Sequence, residues 1–101
     1  MIIITGSVTG RPDTIGELVT ASLEHVVRSR REPGCISHSV HRDAENPLRL
    51  VFIERWESPD AVRAHFAEPA SGEFVRAAAA LSDSPPSLEM FTATPTTLGP
   101  G

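Results

Sequence analysis

The chain has no lysine and no tyrosine, and a single cysteine and a single tryptophan among its 101 residues. The first two absences remove whole classes of chemistry. A Schiff-base mechanism needs a lysine amine, and a phenolic proton donor needs a tyrosine. Excess positive charge is missing too. All nine basic residues are arginine against thirteen acidic ones, for a net charge of −4, which argues against nucleic acid or an anionic membrane, since both reward clustered positive charge. Cys35 alone cannot close an internal disulfide, which fits a reducing cytoplasm. No apolar run approaches the ~20 residues of a membrane span, and MIIITG is too short and lacks the basic flank of a signal peptide. There is no H-E-x-x-H, and Gly6-x-x-x-Gly10 lacks the lysine and following helix of a phosphate loop. No metal and no cofactor is expected from motifs.

What is present reads as one α+β domain over residues 1–94 with a flexible tail over 95–101. A chain of this length buries only about 60–68% of its unfolded surface, enough for one modest core. The β-branched run from Ile2 to about Thr9 predicts a strand. Thr14-Ile15-Gly16-Glu17 fits a capping box and opens a helix to about Ser29, with Glu24 and Arg28 as an i,i+4 pair on its outer face. Glu32-Pro33-Gly34 ends it. A second strand is predicted from Cys35 to Arg42, with Ile36, His38 and Val40 on one face and Cys35, Ser37, Ser39 and His41 on the other. Asn46-Pro47 marks a turn, and Leu48 to Trp56 is the clearest strand. Ser58-Pro59 supplies an N-cap and a first-turn proline for a short helix to Ala67. A second helix follows over about 70–81, and a last strand over 88–94.

The order β-α-β-β-α-α-β is that of a ferredoxin-like split βαβ unit with one extra helix and an antiparallel four-stranded sheet. Helices would cover one face. Because Val51 and Ile53 alternate with Leu50 and Phe52, the other face is also apolar, which predicts a homodimer with the sheets packed face to face.

Six residue groups invite chemistry. Trp56 could stack on a planar ring and donate its indole N–H, or simply plug the end of the sheet. His65, on the short helix beside Phe66, carries an imidazole, the kind of side chain that can take or give a proton at neutral pH; it could equally be an edge histidine. Glu54 shares strand parity with Trp56, Phe52 and Leu50, so it needs an arginine partner or a place on a pocket wall. His38 and His41 point to opposite faces and cannot share a metal. His25, next to Arg28 on the amphipathic helix, reads as solvated, and Cys35 reads as packing.

Glu32-Pro33-Gly34-Cys35, His41-Arg42-Asp43, Glu54-Arg55-Trp56-Glu57 with Ser58, and Ala64-His65 together resemble the antibiotic biosynthesis monooxygenase family. The resemblance spans roughly residues 2–94. It implies a dimeric α+β barrel with a pocket between sheet and helices in each subunit. Members include cofactor-independent oxygenases of polycyclic phenols and quinols, haem-degrading enzymes and an isomerase. Two departures stand out: Ser71 sits near where many relatives carry a second histidine, and the first strand offers Thr5, Ser7 and Thr9 but not the asparagine of the haem-degrading members. The expectation is a cofactor-independent monooxygenase acting with O₂ on a small aromatic molecule such as an anthrone or quinol. His65 and Trp56 would be catalytic, and Glu54, Phe66, Thr5, Ser7 and Ser39 substrate-binding. A haem-binding relative, with His65 as axial ligand, and a non-catalytic binding module are the alternatives.

Overall fold

The computed structural model describes residues 1–99; the last two positions of the expected tail lie outside the described residues. The elements are β1 (Ile2–Thr9), α1 (Ile15–Ser29), β2 (Cys35–Arg42), β3 (Arg49–Trp56), α2 (Pro59–Ala67), α3 (Pro69–Leu81) and β4 (Ser87–Thr92). The four strands form one sheet in the order β2-β3-β1-β4, and every neighbouring pair is antiparallel. This is the ferredoxin-like α+β arrangement expected, with β3 inserted between the two strands that α1 connects.

The inward side chains of β3, namely Leu50, Phe52, Glu54 and Trp56, are all buried. Around the first two a large apolar cluster forms with Val8, Leu18, Val26 and Ala78. Around Trp56 a smaller one forms with Ile4 and Val62. Glu54 lies between them on the strand, so the two cores are separated by a polar layer.

Four local expectations are corrected. Thr14 stands at the N-cap of α1 but makes no side-chain cap. Its hydroxyl accepts from the Arg11 N–H at 2.9 Å and donates to the Leu81 carbonyl at 2.7 Å, tying the start of α1 to the end of α3. Arg28 does not pair with Glu24; its guanidinium turns inward. His25 is buried rather than solvated. Finally, β2 carries a bulge between Cys35 and Ser37, so Ile36 is expelled to the outer face, 45% exposed, and Cys35 comes to share the inner face with His38. One extra residue in a strand reverses alternation beyond it. Ser58 does cap α2 as expected, accepting from the Ala61 N–H at 3.2 Å. β4 stops at Thr92, opposite Ile2 at the start of β1 and short of the expected 94; Ala93 still exchanges two backbone hydrogen bonds with Met1.

The helices cover one face of the sheet. On the other, Ile53 is 43% and Phe91 48% exposed, set among Thr5, Ser37, Ser39 and Arg55. Among the described residues no helix is long and apolar enough to cross a membrane.

Candidate functional site

A cavity of about 330 Å³ opens between the inner face of the sheet and the three helices. Gly6, Phe52 and Glu54 form its floor; His25, His65, Ser71 and Phe74 face them from α1, α2 and α3. A larger groove of about 600 Å³ runs between α2 and β4, but Arg63 is the only ionisable residue on it, so the chemistry belongs to the smaller cavity.

Each histidine reaches the polar layer for a local reason. The buried residues of α1 are Leu18, Ser22, His25, Val26 and Ser29, a stripe with helical spacing, so His25 occupies a core-facing position. On α2, Val62 and His65 are the buried pair three residues apart. His38 faces Glu54 directly across the β2–β3 ladder. The three rings are 2–5% exposed, with centroids 5.3 Å (His25–His38), 5.3 Å (His25–His65) and 5.7 Å (His38–His65) apart. One ring nitrogen from each lies within 4.8 Å of the other two.

Their hydrogen bonds assign their protons. Glu32, in the turn after α1, places a carboxylate oxygen 2.9 Å from His65 Nδ1. A carboxylate only accepts, so Nδ1 carries a hydrogen, and in the neutral ring the lone pair is on Nε2. His25 is the opposite case. Arg28 lies 3.0 Å from its Nδ1 and also donates to the Ala70 carbonyl at 3.2 Å. A guanidinium only donates, so Nδ1 is the acceptor and Nε2 carries the hydrogen. Phe74 stacks flat against this ring, centroids 4.2 Å apart and 9° from parallel. Burial first, then the charges of His38, His65 and Arg28, push the His25 pKa down from 6.5 to about 3, so it is neutral at any ordinary pH.

Glu54 is the acidic centre of the layer. It accepts the Trp56 indole N–H at 2.9 Å, and His38 Nε2 approaches the same oxygen to 3.2 Å, close enough for ion pairing but off the line of a good hydrogen bond. Burial pushes its pKa up, yet His38, the Trp56 N–H and the charge of His65 outweigh this and hold the carboxyl below its usual range.

Among the residues expected from sequence, His65, Glu54 and Phe66 line the cavity. Ser7 reaches its rim with its hydroxyl engaged by Ser87 at 2.8 Å. Thr5 and Ser39 both pair with Ile53 and so lie on the outer face of the sheet, away from the cavity. Trp56 is fully buried and is not on the wall; its ring lies 4.6 Å from that of His65, and its indole touches the site through Glu54. Sequence reasoning missed His25, His38, Glu32, Ser71 and Phe74. The spacing of His25 with Leu18 and Ser22 was the available signal for the first.

Three buried histidines at this separation have the spacing of a metal site. A metal-bound neutral imidazole, however, donates its second N–H to an acceptor. His65 meets that requirement through Glu32. His25 does not, because Arg28 puts the hydrogen on the very nitrogen that would have to ligate. Haem is a poor fit as well: 330 Å³ is at the small end of ligand pockets, sized for a small ring system rather than a macrocycle. The arrangement is suited instead to moving one proton. It combines an imidazole on an acidic partner, a second imidazole on an arginine, and phenylalanine side chains on the wall.

Comparison with known proteins adds the lineage. A model of the family described as antibiotic biosynthesis monooxygenase matches residues 1–77. The uncharacterised protein sll1783 of Synechocystis is 31% identical over 90 residues, 89% of this chain; the chain spans 61% of that relative's length. Among solved structures, one from Deinococcus radiodurans provisionally assigned as an antibiotic biosynthesis monooxygenase superposes with a TM-score of 0.92 at 21% identity, each chain fully covered. Another antibiotic biosynthesis monooxygenase gives 0.86 at 24%, covering 94% of this chain and 100% of its own. Rv0793 of Mycobacterium tuberculosis gives 0.87 at 21%, covering 94% and 96%. At these identities the structures establish the fold, and the family match over 77 residues establishes descent: the chain belongs to the antibiotic biosynthesis monooxygenase family.

Proposed function

We propose that this protein is a cofactor-independent monooxygenase that deprotonates a small phenol, anthrone or quinol and lets the resulting anion react with O₂. The observation that carries this reading is the Glu32–His65 pair, 2.9 Å apart, which in the neutral ring leaves a lone pair on Nε2 of a side chain lining a largely apolar cavity. Glu32 holds the ring in one tautomer and stabilises the imidazolium that forms, as an acidic partner does for any histidine base.

The substrate supplies its own electrons. For an anthrone bound as its enol, His65 removes the hydroxyl proton and leaves a delocalised anion with charge on that oxygen and on the opposite ring carbon. That anion passes one electron to O₂, and the radical pair combines to form a C–O bond and a peroxide anion, which takes a proton back from His65. Loss of water from the hydroperoxide, as the remaining C–H proton and the distal hydroxyl depart, leaves the ketone. One O₂ is consumed, one oxygen is retained and one leaves as water. Phe52, Phe66 and Phe74 pack against the rings and exclude solvent. Glu54, held by Trp56, keeps a negative charge beside His38. A second copy of the chain would cover the outer sheet face around Ile53 and complete the barrel.

Oxygen uptake with 1,8-dihydroxyanthrone tests this. His65→Ala should lower kcat by about 10²–10⁴-fold, and Glu32→Gln should lower kcat with little change in KM. Uptake by His65→Ala equal to that of the unmodified protein sinks the reading. Saturable binding of the anthrone with no oxygen uptake would make the protein a binding module instead.

A further inference from the structure

We infer that His25 is a second catalytic residue, whose Nε2–H donates to the substrate oxygen on which negative charge accumulates, and that Arg28 is the positioning residue that fixes this tautomer. The inference rests on the reading above insofar as it requires a phenol or enol oxygen in the cavity.

The geometry supports it from three sides. First, the donor is preset. Arg28 is anchored at both ends of its contact, on His25 Nδ1 and on the Ala70 carbonyl, and cannot accept a hydrogen bond. The imidazole is therefore obliged to present N–H, not a lone pair, at Nε2, where it makes no hydrogen bond to the described residues. Stacking on Phe74 holds the ring plane. Second, the base and donor converge. The two Nδ1 atoms are taken by Arg28 and Glu32, which leaves the two Nε2 atoms to face the substrate; one ring nitrogen of each histidine lies within 4.8 Å of the other, a separation at which two nitrogens can both reach a single oxygen at ~2.8 Å. A hydroxyl placed there gives its proton to His65 and receives a hydrogen bond from His25. Third, the donor stays a donor. A neutral imidazole N–H stabilises an oxyanion without surrendering its proton to it, whereas an imidazolium would protonate it; the burial that keeps His25 neutral serves this role. Ser71 adds a buried hydroxyl with no partner on the same wall, available to a second substrate oxygen.

Three measurements test the inference. Long-range ¹H–¹⁵N correlation spectra of the labelled protein should show His25 protonated at Nε2 and unprotonated at Nδ1, and Arg28→Met should convert this to a mixture of tautomers. A wild-type Nδ1–H tautomer overturns the inference outright. Bound 1-naphthol, read by absorbance, should ionise about 1–2 pH units higher in His25→Phe than in the unmodified protein. His25→Phe keeps the ring stack on Phe74, and His25→Gln, which returns an N–H near the same place, should restore most of the shift. An unchanged naphthol pKa in His25→Phe, or no naphthol binding by the unmodified protein, also overturns it. With 1,8-dihydroxyanthrone, kcat should fall about 10²-fold in His25→Phe, and less in Arg28→Met with KM nearly constant. If His25→Phe turns over normally while His65→Ala is inactive, this inference fails and the oxygenase reading stands. If naphthol ionises as expected but no variant or unmodified protein takes up oxygen, the donor role stands and the oxygenase reading fails.

Discussion

A histidine buried neutral makes the fold acid-sensitive by an amount the structure sets. In the unfolded chain His25 titrates near 6.5, and in the folded protein near 3. Its folded pKa is depressed, so the unfolded state takes up the proton first as pH falls. The stability tied to neutral His25 is present above 6.5 and is lost progressively down to 3. At pH 5 the unfolded chain is almost fully protonated at this site and the folded chain almost not at all. From the linkage relation this costs about 2 kcal/mol relative to pH 7, a large share of what holds a domain of this size together. The groups facing the ring are Arg28 on its own helix, His38 on β2, His65 on α2 and Glu54 on β3. All of them remain in His25→Phe, which removes only the titrating group. Guanidinium unfolding at pH 7 and pH 5, at matched protein concentration, should therefore show the unmodified protein losing about 2 kcal/mol more than the variant. That corresponds to a difference of roughly 0.5 M in the shift of the midpoint. Parallel losses in the two proteins would mean that folded His25 accepts a proton readily, and the account of its burial would be wrong.

Other parts of the structure carry their own tests. Gly34 has φ of +83°, and a Cβ added there would lie 2.5 Å from Ala61 Cβ; Gly34→Ala should cost at least about 2 kcal/mol and lower Tm by roughly 8 °C or more, and a loss under 2 °C would show that the turn relaxes freely. Thr14→Val keeps shape but strands the Leu81 carbonyl and the Arg11 N–H, so about 2 kcal/mol should be lost. A Thr14→Val protein within 0.5 kcal/mol of the original would deny the α1–α3 tie. Ile53→Glu places a charge at the middle of the outer sheet face; light scattering should show a dimer converted to a monomer, and an unmodified protein already monomeric at micromolar concentration would remove the second copy from the proposal.

The elements were legible in the sequence because their signals are local. The β-branched run of β1, Pro33-Gly34, and Ser58-Pro59 each act within a few residues, and six of the seven elements come within about a residue of expectation. The polar layer was not legible, and the reason is the same in each case. Thr14 has the sequence context of a capping box, but the partner that wins its hydroxyl, Leu81, is 67 residues away. Ile36 follows strict alternation on paper, and only pairing with β3 reveals that one residue of β2 is extra. Arg28 beside His25 looks like a solvated helix face, since an i,i+3 pair of polar side chains usually is one. What buries them is α3, which brings Ala70 and Phe74 to the two ends of that pair. His25, His38 and His65 therefore have no motif to announce them. They come from a helix stripe, a bulged strand and a second helix, and converge only because Glu54 interrupts an otherwise apolar strand face and gives the fold one polar layer to close around. The family likeness pointed to Trp56 and His65; the geometry makes Trp56 a support for that carboxylate and gives His65 two neighbours, Glu32 and His25; the partners of the two rings, Glu32 for His65 and Arg28 for His25, call for opposite tautomers in the neutral state.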